Sequence, residues 1–136
     1  MQASVKIMDI DVDMMSNDVF IRKMNEYLTD DHLDVIMFAS TKMLNKAMED
    51  EEYRTLLDKA DLFLPGEKAL LTTHHVDVLE AGDMVVSYRS LGMMLENLTK
   101  EDRTLYIIAD NEDSVEKLQH YCKKMQPELR VVGSYS

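Results

Sequence analysis

At 136 residues, with 46% hydrophobic and 30% charged side chains, the chain is long enough to bury a core without metals or disulfides. A formal net charge of −11 argues against nucleic acid and against an anionic membrane surface, since both select clustered Lys and Arg. No apolar run approaches the roughly 20 residues of a membrane span, and the lone Cys122 excludes an internal disulfide and fits a reducing cytoplasm.

The opening stretch MQASVKIMDIDVDM lacks a basic region followed by an apolar one, so no secretory leader is expected. Residues 5–12 alternate, with Val5 and Ile7 on one face and Lys6, Met8 and Ile10 on the other, which suits an edge strand or hairpin arm. Ser16-Asn17-Asp18 offers N-cap chemistry to a helix carrying Val19, Phe20, Met24, Tyr27 and Leu28. Residues 35–38 are a short apolar run that reads as a buried strand. Two helical stripes follow, Met43, Leu44, Ala47 and Met48, then Tyr53, Leu56, Leu57 and Ala60. Further buried strands are expected at 62–64, 84–86, 105–109 and 130–132. Between the last two, Val115, Leu118, Cys122 and Met125 line a helix capped by Asp113 or Ser114 and ended before Pro127. Strands alternating with helices predict an α/β fold of three Rossmann-like layers, with a mostly parallel sheet and helices on both faces. No repeat, low-complexity tract or linker interrupts residues 1–136, so one domain is expected.

Several tempting clusters have plainer explanations. The four glycines are too dispersed for G-x-G-x-x-G, and no Walker A or G-x-S-x-G sequence is present. His74 and His75 are adjacent, so they diverge on a strand or helix, and with Asp77 and Glu80 they read as a polar loop or helix end. Asp9, Asp11 and Asp13 lack the glycine and distal glutamate of a calcium loop and read as a solvated strand face. His32 sits in a charged turn and His120 on a polar helix face, neither with a partner recognisable from spacing. Tyr88 and Arg89 are a weak anion-binding pair near a strand end. Cys122, beside Leu118 and Met125, reads as a packed thiol, and the twelve methionines as an adaptable core. No metal or cofactor site is expected.

Other stretches carry an ordered likeness over nearly the whole chain. Residues 7–13 read IMDIDVD. Ala47-Met48-Glu49-Asp50 follows on an acidic helix, Leu57 to Pro65 reads LDKADLFLP, and residues 127–133 read PELRVVG. In this order they resemble the WecG/TagA/CpsF glycosyltransferases, with I-x-G-V-x-I-D, A-x-x-D, L-x-x-A-D-L-x-x-P and P-x-L-x-I-V-G in the family. The resemblance implies transfer of an N-acetyl amino sugar, of the UDP-N-acetylmannosamine type, to a polyprenyl-diphosphate-linked acceptor in bacterial cell-surface polysaccharide synthesis. It also marks where this chain departs. Asp9 stands where glycine is usual. The family's T-x-N-x-E falls on Phe38, Ser40 and Lys42, and its Asp-Gly, holding the proposed general base, falls on Gly66 and Glu67. A Gly-Gly after a later strand becomes Ala109 and Asp110, and residues 87–91 lack the family's glycine and aspartate. Active relatives are expected to continue beyond Ser136 with nucleotide-binding and membrane-docking residues. The resemblance thus implies a vestigial pocket of Phe38, Ser40, Lys42, Gly66, Glu67, Ala109 and Asp110, with Glu67 the one weak catalytic candidate. The expected function is a non-catalytic, cytoplasmic binding module, with a homo-oligomer or a partner glycosyltransferase as its associate and a nucleotide sugar as its candidate ligand. The alternative is an active transferase using Glu67 or Asp110.

Overall fold

The computed structural model describes residues 3–73 and 87–136. The expected strand at 84–86 and the His74, His75, Asp77 and Glu80 cluster lie outside them. Among the described residues the fold is mixed α/β, with six helices and three two-stranded sheets, one antiparallel and two parallel. The chain divides into two compact units, Met1–Ser90 and Leu91–Ser136.

In the first unit, β1 (Ala3–Ile7) and β2 (Ile10–Met14) form an antiparallel hairpin. The single alternating strand expected over 5–12 is therefore corrected. Met8 and Asp9 both take positive φ, 52° and 65°, the pattern of a type I′ turn matched to strand twist. Reversing there puts Ile7 opposite Ile10 and Val5 opposite Val12, so Ile7, Ile10 and Val12 are buried together. Helix α1 (Asn17–Thr29) starts as expected, with the Ser16 hydroxyl accepting the Val19 amide at 3.3 Å, and buries Val19, Phe20 and Met24. In the turn that follows, the carboxyl groups of Asp30 and Asp34 act on each other. Their mutual hydrogen bond is the first cause holding the Asp30 carboxyl low and the Asp34 carboxyl high.

Strand β3 (Ile36–Ala39) leads into α2 (Thr41–Glu49) and α3 (Glu51–Leu57), and β4 (Leu62–Pro65) returns parallel to β3. The Asp50 side chain accepts the Tyr53 amide at 3.1 Å and divides the acidic stretch into two helices. Leu44, Ala47 and Leu57 face the core, whereas Met48 and Leu56 are exposed, so each expected stripe is narrower than its apolar content. The short α4 (Lys68–Thr73) adds Leu70 and Leu71 to the same core. Strand β2 lies beside β4, and the Asp13 carboxylate accepts the Phe63 amide at 2.9 Å. Asp13 is thus not on a purely solvated face; it satisfies a backbone donor of a strand whose side chains are all buried.

Helix α5 (Ser87–Lys100) follows the undescribed stretch, so residues 87–91 are helical and not a strand end. In the second unit, β5 (Thr104–Ile108) and β6 (Arg130–Tyr135) pair in parallel, with α6 (Glu112–Met125) packed on both. Asn111, not Asp113 or Ser114, caps α6, its Oδ1 accepting the Ser114 amide at 2.8 Å. Val115 and Cys122 are buried while Met125 is exposed, and burial pushes the Cys122 thiol up, favouring the protonated form. The pairing register shifts so that Tyr106 lies opposite Gly133, and a Cβ there would meet the Tyr106 ring at 2.6 Å. The absent side chain gives the ring its seat.

Candidate functional site

In parallel α/β sheets, ligand crevices form beyond the carboxyl ends of the strands. In the first unit those ends are Ala39 and Pro65, which pair with each other in register. The Gly66 amide extends the ladder by donating to the Ala39 carbonyl at 2.7 Å. Close pairing leaves no room for a side chain. A Cβ at residue 66 would stand 2.5 Å from the Ala39 oxygen, 3.1 Å from its carbonyl carbon and 3.2 Å from the Phe38 carbonyl carbon. All three obstacles are backbone atoms, which no rotamer change relieves.

Ser40 leaves β3 in an extended conformation and turns the chain into α2. Its hydroxyl accepts the Met43 amide at 3.2 Å and its carbonyl accepts the Leu44 amide at 3.1 Å. The capping bond occupies part of the hydroxyl's accepting capacity. The next orphan donor, the Thr41 amide, goes to Glu67 Oε1 at 2.7 Å. Glu67 therefore complements a helix dipole, but that of α2 and not of the helix that follows it. The Thr41 amide, and after it the Thr41 hydroxyl, hold the Glu67 carboxyl below its usual range. Ionised and tethered, the group occupies the N–H that an incoming phosphate at the α2 N-terminus would use.

Ser40, Gly66 and Glu67 thus meet around the start of α2. Phe38 lies half-buried within β3 opposite Leu64, and Lys42 is exposed on α2. The bonds made by Thr41 and Asp13 are ones that sequence patterns do not reveal. Both act on partners far along the chain, with 26 residues separating Thr41 from Glu67 and 50 separating Asp13 from Phe63.

Ala109 and Asp110, the other residues expected from the resemblance, belong to the second unit. The Ala109 amide donates to the Tyr135 carbonyl at 3.0 Å, closing the end of the β5–β6 ladder. Asp110 is exposed and accepts from the Asn111 side-chain amide at 3.2 Å. With Glu112 and Asp113 in the first turn, the α6 N-terminus carries three neighbouring carboxylates. They favour the helix dipole and oppose a diphosphate. Tyr88 and Arg89 lie in the first turn of α5, and His120 is exposed on α6.

Among the described residues no helix is long and apolar enough to cross a membrane. The family model for the glycosyl transferase WecG/TagA/CpsF family matches residues 5–136. No curated protein matches the chain.

Proposed function

The chain belongs to the glycosyl transferase WecG/TagA/CpsF family, and from that premise we propose that it is a non-catalytic member acting as a binding or interaction module. The observation that carries this reading is the contact between Gly66 and Ala39. The resemblance places the family's general base at residue 66, where a Cβ would stand 2.5 Å from a backbone oxygen. A base must reach the acceptor hydroxyl at hydrogen-bond distance, and glycine has no group to do so. The neighbouring carboxylate does not replace it. Glu67 is bound to Thr41 and held in its ionised, weakly basic form. Within the second unit, the carboxylates at the start of α6 oppose any diphosphate approaching that helix end.

The order of strands and helices supports a three-layer Rossmann-like frame for this module. Its associates are a second copy of the chain or an active glycosyltransferase. Calorimetric titration with UDP and UDP-N-acetylmannosamine, beside a transfer assay with a polyprenyl-diphosphate-linked acceptor, tests the reading. The expected result is no transfer and no saturable nucleotide binding at millimolar ligand. Binding tighter than about 100 μM, on the order of −5.5 kcal/mol, that is lost in Ser40→Ala and Glu67→Gln would overturn it in favour of an active transferase.

A further inference from the structure

The turn between α1 and β3 reads Asp30-Asp31-His32-Leu33-Asp34, and its alternate residues converge. His32 Nε2 lies 3.2 Å from Asp34 Oδ1 and 3.5 Å from Asp30 Oδ2. One donor atom from each of the three residues falls within 4.8 Å of the other two. Around a tetrahedral ion with bonds of about 2.0–2.2 Å, ligand atoms stand roughly 3.4 Å apart. His32 Nε2 already holds that spacing to a carboxylate oxygen of each aspartate. The other ring nitrogen, Nδ1, faces Asp31 Oδ1 at 3.7 Å, the outer carboxylate position that orients metal-binding imidazoles.

An independent observation concerns Asp34 itself. Its side chain is only 8% exposed and its carboxyl faces His32 through Oδ1. The second oxygen, Oδ2, is buried, and no neighbouring N–H or hydroxyl among the described residues reaches it. Buried carboxylate oxygens are ordinarily satisfied by a donor or an ion. The nearby Asp61 is committed elsewhere, its Oδ2 accepting the Val35 amide at 2.8 Å. Solvent would fill the open coordination positions.

We propose that Asp30, His32 and Asp34 bind a divalent first-row transition metal of the zinc class. One imidazole with two carboxylates suits such ions, whereas magnesium and calcium take oxygen alone. The role is structural. Asp30 caps the C-terminus of α1 and Asp34 shortly precedes the start of β3, so the ion clips the helix to the strand. The site lies at the opposite end of β3 from Ser40 and is independent of any sugar-nucleotide chemistry.

The test uses the full chain, freed of metal by chelator, in a background with His74 and His75 changed to alanine. Titration with zinc chloride is expected to give one site of micromolar affinity. His32→Ala and Asp34→Asn should each weaken it at least about tenfold, while His120→Ala leaves it unchanged. Zinc should also raise the melting temperature, and cobalt(II) should give visible d–d bands that vanish in His32→Ala. The His32 side chain is 65% exposed, so its replacement reads out binding and not folding. No saturable binding below about 1 mM zinc would overturn the proposal. Binding that survives His32→Ala unchanged would overturn it too.

Discussion

The Glu67 carboxylate accepts the Thr41 amide at 2.7 Å and so ties the end of β4 to the first turn of α2, two elements separated by a helical crossover. Because the amide and then the hydroxyl of Thr41 stabilise the charged form, the carboxyl titrates below its usual range in the folded protein. A depressed folded value means that the unfolded chain binds the proton more readily. The stability from this contact is therefore fully present above the ordinary glutamate range and is lost as pH falls through the folded value. Wild type and Glu67→Gln should differ at pH 7, with wild type the more stable, and converge as pH falls through the folded value. Urea unfolding of both at each pH cancels the other acids. A difference that stays constant with pH would show that the tether carries no charge dependence.

Gly66→Ala is expected to destabilise the protein by about 1–3 kcal/mol, as for other overpacked sites. The Ala39 carbonyl must move to admit the methyl group, and it already accepts the Gly66 amide. Gly66→Asp should lose at least as much and restore no sugar transfer. Denaturant midpoints together with a transfer assay check both statements. A neutral Gly66→Ala would mean that the ends of β3 and β4 spread easily, and the steric case against a base at this position would fail.

Asp13→Ala should cost about 1–3 kcal/mol, because it strands the Phe63 amide in a strand whose side chains are all buried. Asp11→Ala is the control. Asp11 is exposed and among the described residues pairs with Lys6 at 3.8 Å, an ion pair of a kind worth little. Thermal unfolding of the two variants should separate them clearly. Equal effects would show that the charge of the hairpin matters and that the bond to Phe63 does not.

These contacts mark the boundary of what the sequence makes legible. The apolar runs of β3 and β4, the Ser16 cap and the stop of α6 before Pro127 are local signals, and the structure follows them. Helix α5 is not among the expected elements, although Leu91, Met94, Leu95 and Leu98 recur at helical spacing, because residues 87–91 are read only against the end of the strand expected at 84–86. The α6 cap is shifted because Asn111, Asp113 and Ser114 all have capping chemistry and only backbone geometry chooses among them. Asp13 and Glu67 satisfy amides 50 and 26 residues away, and no local periodicity encodes such partners. The Asp30, His32 and Asp34 cluster reads in the sequence only as a charged turn, and neither the convergence of its side chains nor the burial of Asp34 shows in the spacing.

The hairpin turn gives the last expectation. Asp9 has φ of 65°, a left-handed conformation that costs most L-residues roughly 1–2 kcal/mol and that glycine adopts freely. This is a physical reason for the glycine that related sequences carry at the position. Aspartate is among the residues that tolerate the region best. Here its carbonyl also accepts the Arg54 guanidinium at 2.7 Å, a bond made by the backbone and indifferent to the side chain. The side chain adds only an exposed contact to Arg54 at 3.7 Å. Asp9→Gly should therefore leave stability unchanged or raise it by up to about 1 kcal/mol. Asp9→Val, β-branched and poorly suited to positive φ, should lower it by at least about 1 kcal/mol. Urea midpoints of the two variants provide the check. If valine is tolerated as well as glycine, residue 9 does not hold the left-handed conformation in solution, and the register that buries Ile7 with Ile10 must be set by the core alone.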